Sequence, residues 1–162
     1  MEKTVRLLVA EDDDADARFV LLALQASGAW GEVLTVADGK EALDFLYRRG
    51  LFVNRSPLHP ALVLLDLKMP RVDGFGVLTA AKTDPVLRGV PMVVLTSSCE
   101  KRDLAQAYAL GANGYVVKPM GFDACVAALG AVCRFWMEVN EAPPTCVRRT
   151  LRLGPKEREA VR

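Results

Sequence analysis

Five side chains scattered along the chain are of the types needed for phosphoryl transfer: the carboxylates Glu11, Asp12 and Asp66, the hydroxyl of Thr96 and the ammonium of Lys118. Each follows a short apolar run. The clearest is Ala61-Leu62-Val63-Leu64-Leu65, which runs straight into Asp66 between Pro60 and Pro70. If the runs are parallel strands of one sheet, the five groups meet at its carboxyl edge, where such sheets bind ligands. Crowded carboxylates raise one another's pKa unless a cation relieves them. An all-oxygen set with room for water suits Mg²⁺. Zinc fits poorly, because no Cys or His stands at these ends. An aspartate beside such a cation can attack a phosphoryl group to give an acyl phosphate. Lys118 and Thr96 would then stabilise charge on the phosphoryl oxygens. Any one of the five alone reads as a solvated strand-end residue; the set in this order points to a site.

The elements that must position these groups are legible from periodicity. Val5–Ala10, 33–37, 61–65, Pro91–Thr96 and Gly114–Val117 read as strands, several of them continuously apolar and so buried on both faces. Helical spacing occupies 14–27, 39–50, 74–82, 102–110 and 122–139, with Gly28, Gly50 and Gly111 at the stops and Pro143-Pro144 beyond the last. Residues 51–60 form an unusually long loop. Five strands alternating with five helices argue a doubly wound α/β sandwich. In the acidic run, Glu11-Asp12 directly follows the apolar strand, leaving Asp13 and Asp14 to start the first helix, where negative charge is favourable.

The acid pair Glu11-Asp12, Asp66 within LLDLKMPRVDG, Thr96 within VVLTSS and Lys118-Pro119 within GYVVKP resemble the receiver domain of two-component response regulators over about residues 4–139. The resemblance implies a flavodoxin-like fold of sheet order 2-1-3-4-5, with Asp66 taking a phosphoryl group from a phosphohistidine on a sensor kinase. It implies Asp12, Asp66 and the Lys68 main-chain carbonyl as Mg²⁺ ligands, with Glu11 acting through water and Mn²⁺ or Ca²⁺ able to substitute. Thr96 and Lys118 would contact the phosphoryl group, Thr96 would move on phosphorylation and Tyr115 would swing inward behind it. The Lys118-Pro119 bond is expected to be cis. The long loop, the LLDLKMPRVDG block, DPVLRGVPMVVLTSS and Phe135-Trp136 are similar to stand-alone receivers that partner bacterial phytochromes, light-sensing histidine kinases that phosphorylate small dimeric regulators.

Composition agrees with a soluble module: 162 residues, 51% hydrophobic, 25% charged, net charge +1. No apolar run approaches the roughly 18–20 residues of a membrane span, and the amino terminus has no signal-peptide pattern. The expectation is a cytoplasmic protein without DNA or membrane partners. A receiver at 1–140 leaves 141–162 as a basic tail or dimerisation arm, too short for an output domain. Its arginines Arg148, Arg149 and Arg152 read as a solvated cluster. The last helix carries two apolar stripes: Phe122, Val126, Leu129, Cys133 and Trp136 as the core face, and Cys125, Ala128, Val132, Phe135 and Val139 as a dimer face. The alternative cover for that second stripe is the tail folding back. His59, the sole histidine, reads as a surface residue, and Cys99, Cys125, Cys133 and Cys146 as buried, reduced thiols. Three other functions compete. A haloacid-dehalogenase-type phosphatase would want an acid where Lys68 stands. A phosphorylation-silent dimerisation scaffold would not need the intact five-residue set. A DNA-binding regulator would need an output domain.

Overall fold

The structure is a computed structural model that describes residues 4–28 and 31–148. Within them, β1 (Val5–Ala10), β2 (Glu32–Val36), β3 (Leu62–Leu65), β4 (Met92–Thr96) and β5 (Gly114–Val117) form a parallel sheet of order β2-β1-β3-β4-β5. They alternate with α1 (Asp14–Ala26), α2 (Gly39–Tyr47), α3 (Gly74–Thr83), α4 (Lys101–Ala109) and α5 (Phe122–Arg134). The flavodoxin-like order expected from the sequence is therefore observed. Strand residues alternate between two cores. Leu7, Val9, Leu62, Leu64, Val93 and Leu95 pack with buried residues of α1 and α5. Leu8, Ala10, Val63, Leu65, Met92 and Val94 pack with those of α2, α3 and α4 on the other face.

The helix starts follow the chemistry of the acidic turns. Asp13, Asp38 and Asp73 cap α1, α2 and α3, each carboxylate accepting a backbone N–H three residues on at 2.8 Å. Asp13 and Asp14 thus start α1 as expected.

The last helix departs from the expected stripes. Its buried residues are Cys125, Leu129, Cys133 and Met137, so Cys125 belongs to the core and not to a dimer face, while Phe122 is exposed and Trp136 only half-buried. The two stripes lie one residue apart, about 100° of arc; Leu129 and Cys133 of the expected core face are buried as expected, and Cys125 of the other stripe joins them. A row of fours drifts around a 3.6-residue helix. The π turn Phe135–Val139 takes up an extra residue and returns Met137 to the core. Ala128 and Val132 are half-buried, and Phe135 and Val139 are 48% and 62% exposed.

The first part of the tail does not cover that stripe. His59 donates its N–H to the Thr145 carbonyl at 2.8 Å and accepts from the Val147 N–H at 2.8 Å, forming a parallel bridge with Cys146. Cys146 and Ala142 join the core on the α2/α3/α4 face, opposite α5. Residues 142–147 are thus integrated with the body of the α/β fold. His59, expected at the surface, is 6% exposed, because burying a loop backbone requires partners for its polar groups and the tail supplies them. Of the cysteines, Cys99 is exposed and the other three are buried. Arg149 and Arg152 lie outside the described residues.

Arg55 holds the long loop. Its guanidinium donates to the carbonyls of Phe45 at 2.6 Å, Leu46 at 3.1 Å, Ser56 at 2.5 Å and Leu58 at 3.0 Å, and lies over the Phe45 ring. The first two are carbonyls at the end of α2, that of Phe45 also accepting the Arg48 N–H at 3.2 Å. Arg55→Ala should lower the unfolding free energy by about 2–3 kcal/mol, since it strands several carbonyls at once. Urea denaturation would measure the loss, and amide exchange should rise first at His59 and Val147.

Candidate functional site

All five groups converge at the carboxyl edge of the sheet. Glu11 follows β1, with its N–H on the Val36 carbonyl at 3.1 Å; Asp66 follows β3, with its N–H on the Ala10 carbonyl at 3.1 Å. Lys118 follows β5, and its N–H reaches the Thr96 carbonyl at 2.7 Å. The ladders therefore fix the relative height of the functional side chains. With Asp13, Lys68, Ser97 and Ser98 they line an open cleft of about 500 Å³.

The centre of the cleft is the Lys118 ammonium. Nζ lies 2.5 Å from Glu11 Oε2, 3.2 Å from Asp66 Oδ2 and 3.1 Å from Asp16 Oδ2. Asp66 Oδ1 accepts the Leu67 N–H at 2.7 Å, and Glu11 Oε1 accepts the Asp13 N–H at 3.1 Å. Glu11, Asp66 and Thr96 are buried and Asp12 is exposed at the mouth. Gly74 lets the start of α3 approach this edge: a Cβ there would lie 2.3 Å from the Asp66 carbonyl oxygen, so a side chain is excluded by contact with backbone.

Carboxylate oxygens of Glu11, Asp12 and Asp66 lie within 4.8 Å of one another. Asp16 makes a third carboxylate in contact with the Lys118 ammonium, with Asp12 exposed beside them. Oxygen-only donors, an excess of negative charge and an open side for water fit a hard divalent cation. The donor set therefore fits the group expected from the sequence.

Thr96 and Tyr115 meet through Ser98. The Ser98 N–H donates to Thr96 Oγ1 at 3.3 Å, its Oγ donates to Asp103 of α4 at 2.6 Å, and its carbonyl accepts the Tyr115 hydroxyl at 3.0 Å. Tyr115 is half-buried against the α2/α3/α4 core.

The cis bond expected before Pro119 is not observed: among the described residues no peptide bond is cis. Trans is intrinsically favoured by about 0.5–1 kcal/mol even before proline. The entry to α5 is instead turned at Gly121, with φ +95°. Sequence reasoning missed Asp16 and Ser98. Asp16 had a signal, being one helical turn beyond Asp12 in a run capped by Asp13; Ser98 had none.

The response regulator receiver domain family model matches residues 7–130. The chain belongs to this family. Response regulator Rcp1 of Synechocystis sp. is 36% identical over 85% of this receiver and 92% of its own length, and its Mn²⁺-bound crystal structure superposes with a TM-score of 0.76. The phosphorylated cyanobacterial phytochrome response regulator RcpA is 35% identical, with a TM-score of 0.78 over 88% of this chain and 99% of its own. The bacteriophytochrome response regulator RtBRR is 42% identical, with a TM-score of 0.71 over 99% and 96%. The similarity to phytochrome regulators seen in the sequence thus extends through the fold.

The electrostatics of the receiver site follow from burial and crowding. Burial pulls the Lys118 ammonium down, but the Glu11 and Asp66 carboxylates more than offset it and hold it above the ordinary lysine value. Burial pushes Glu11 up to about 7, aided by Asp66 and opposed by the hydrogen bonds from Lys118 and the Asp13 N–H.

Two measurements test this arrangement. Because its pKa is raised by folding, the stabilisation from Lys118 is complete below the ordinary value of 10.5. Lys118→Met should therefore cost about 3 kcal/mol at pH 8, the lower end for a partly shielded ion pair losing one partner, read by urea denaturation. A cation must displace the Glu11 proton below about 7. Divalent-cation affinity should fall by up to about tenfold per pH unit below that point, with proton release in calorimetry, and Glu11→Gln should flatten the dependence.

Proposed function

We propose that this receiver is a phosphoacceptor switch in which Asp66 takes a phosphoryl group from a phosphohistidine of a sensor histidine kinase. The observation that carries the reading is the Asp66 carboxylate, oriented by the Leu67 N–H, with the Lys118 ammonium 3.2 Å away and the acidic cation cluster beside it. A carboxylate oxygen of Asp66 attacks phosphorus, the P–N bond breaks, and its electron pair returns to the donor imidazole. Lys118, already against Asp66, turns to a phosphoryl oxygen. The Thr96 hydroxyl, which accepts from the Ser98 N–H before transfer, donates to another.

Asp12, Asp66 and the Lys68 carbonyl would hold Mg²⁺, with Glu11 acting through water, and the ion would supply charge neutralisation for the transferring group. The Mn²⁺-bound form of Rcp1 supports divalent-cation binding in this reading, with Mn²⁺ or Ca²⁺ able to substitute. The reaction is that of a signalling acceptor, with hydrolysis of the aspartyl phosphate as its only turnover.

The kinase is a bacterial phytochrome, a reading supported by the similarity to the phytochrome response regulator RcpA and the bacteriophytochrome response regulator RtBRR. The output is a changed homodimer or partner contact. The exposed Phe135 and Val139 on the last turns, flanked by half-buried Ala128 and Val132, are the apolar face for it. The setting is cytoplasmic, and no described helix is long and apolar enough to cross a membrane.

Intact mass after incubation with Mg²⁺ and acetyl phosphate tests the reading. The expected result is gain of one alkali-labile phosphoryl group, absent in Asp66→Asn and in EDTA. Transfer from an autophosphorylated bacteriophytochrome should outpace other histidine kinases. Light scattering should show a mass change that Phe135→Glu prevents. No phosphoryl gain from any donor would overturn the acceptor role.

A further inference from the structure

Of the groups outside the catalytic cluster, one pair reaches the loop that follows the phosphoacceptor. Arg71 sits in that loop, between Asp66 and α3, in the left-handed region at φ +63°. A non-glycine residue there is strained and persists only where its surroundings hold it. What holds it is Asp38, a carboxylate only 5% exposed at the start of α2. The Arg71 Nε donates to Asp38 Oδ2 at 2.7 Å, and its Nη2 closes a second, shorter contact to the same oxygen.

Asp38 is fully engaged, since its other oxygen accepts the Glu41 N–H at 2.8 Å. Next to the pair, the Gly39 N–H donates to the Val72 carbonyl at 3.0 Å. A Cβ at Gly39 would lie 2.1 Å from that carbonyl oxygen, so the two turns are in hard backbone contact. The β2–α2 turn therefore braces the loop at two successive residues, Arg71 and Val72. The loop's other anchors are the Leu67 N–H on Asp66 Oδ1 and the Gly74 N–H on the Leu67 carbonyl. Lys68 lies between these anchors and the brace.

We propose that the Asp38–Arg71 pair is a positioning strut for the divalent-cation site: it sets cation affinity without touching the ion, by fixing the backbone segment that carries the Lys68 carbonyl. The inference rests on the cation-dependent acceptor reading given above. Groups one step behind metal ligands commonly change affinity by 10–100-fold when removed. The strut acts through backbone, so the lower end is expected, on the order of tenfold.

Three variants separate positioning from stability. Arg71→Ala removes the pair and keeps the strained backbone. Arg71→Gly removes the pair but accepts the left-handed conformation. Asp38→Asn keeps an oxygen for the α2 cap and removes the charge. Mn²⁺ and Mg²⁺ affinity would be measured by calorimetry on the full chain, beside thermal unfolding in EDTA. The expected result is an affinity loss on the order of tenfold in all three. It should include Arg71→Gly, whose unfolding temperature in EDTA should lie nearest the wild type. Wild-type affinity in a folded Arg71→Gly would overturn the strut while leaving the acceptor site intact. Failure of the wild type itself to bind either cation would instead overturn the acceptor reading on which the strut depends.

Discussion

Everything at the functional edge of this protein depends on one half-buried ammonium. Lys118 sits among Glu11, Asp16 and Asp66, and without it the strand ends would bring like charges together in a partly desolvated cleft. The sheet delivers it there. Its backbone N–H is the last rung between β4 and β5, hydrogen-bonded to the Thr96 carbonyl. The same rung thus sets the lysine and the threonine hydroxyl beside one another. The compensation is incomplete: three carboxylates contact this ammonium with Asp12 beside them, and the remaining charge makes the cleft attractive to a hard cation.

That electrostatic imbalance is carried by a rigid frame. β1, β3 and β4 are buried on both faces, and Asp66 continues the ladder through its N–H on Ala10. The mobile-chemistry parts hang from the frame in loops, each braced by a neighbour. The β4–α4 loop is tied through Ser98 to Thr96, Asp103 and Tyr115. The β3–α3 loop is tied through Arg71 and Val72 to the start of α2. Ser98 is thus the common hydrogen-bond partner of Thr96, of Asp103 on α4 and of Tyr115 on β5.

The remote half of the molecule follows a different logic. Arg55 satisfies the end of α2 and the long loop together, and His59 exchanges backbone hydrogen bonds with the segment after α5. The chain thus crosses from the α1/α5 face to the α2/α3/α4 face and buries Cys146 there. Phe135 and Val139 stay exposed on the other side.

By itself the sequence determined the sheet, its helices and the five groups at its edge. Short apolar runs and capped helical spacing are local signals, and a parallel ladder leaves strand-end residues such as Asp66 and Lys118 nowhere else to go. Long-range choices were left to the tertiary structure. On α5, packing brought Cys125 of the second stripe into the core beside Leu129 and Cys133, and a π turn returned Met137 to it. His59 and Cys146, 87 positions apart, carry no periodic pattern linking them; only the closed fold showed that a buried loop backbone needed the tail as its partner. Asp16 joined Lys118 for the same reason. Its place on the first turn of α1 was legible, but its partner comes from the far end of the chain.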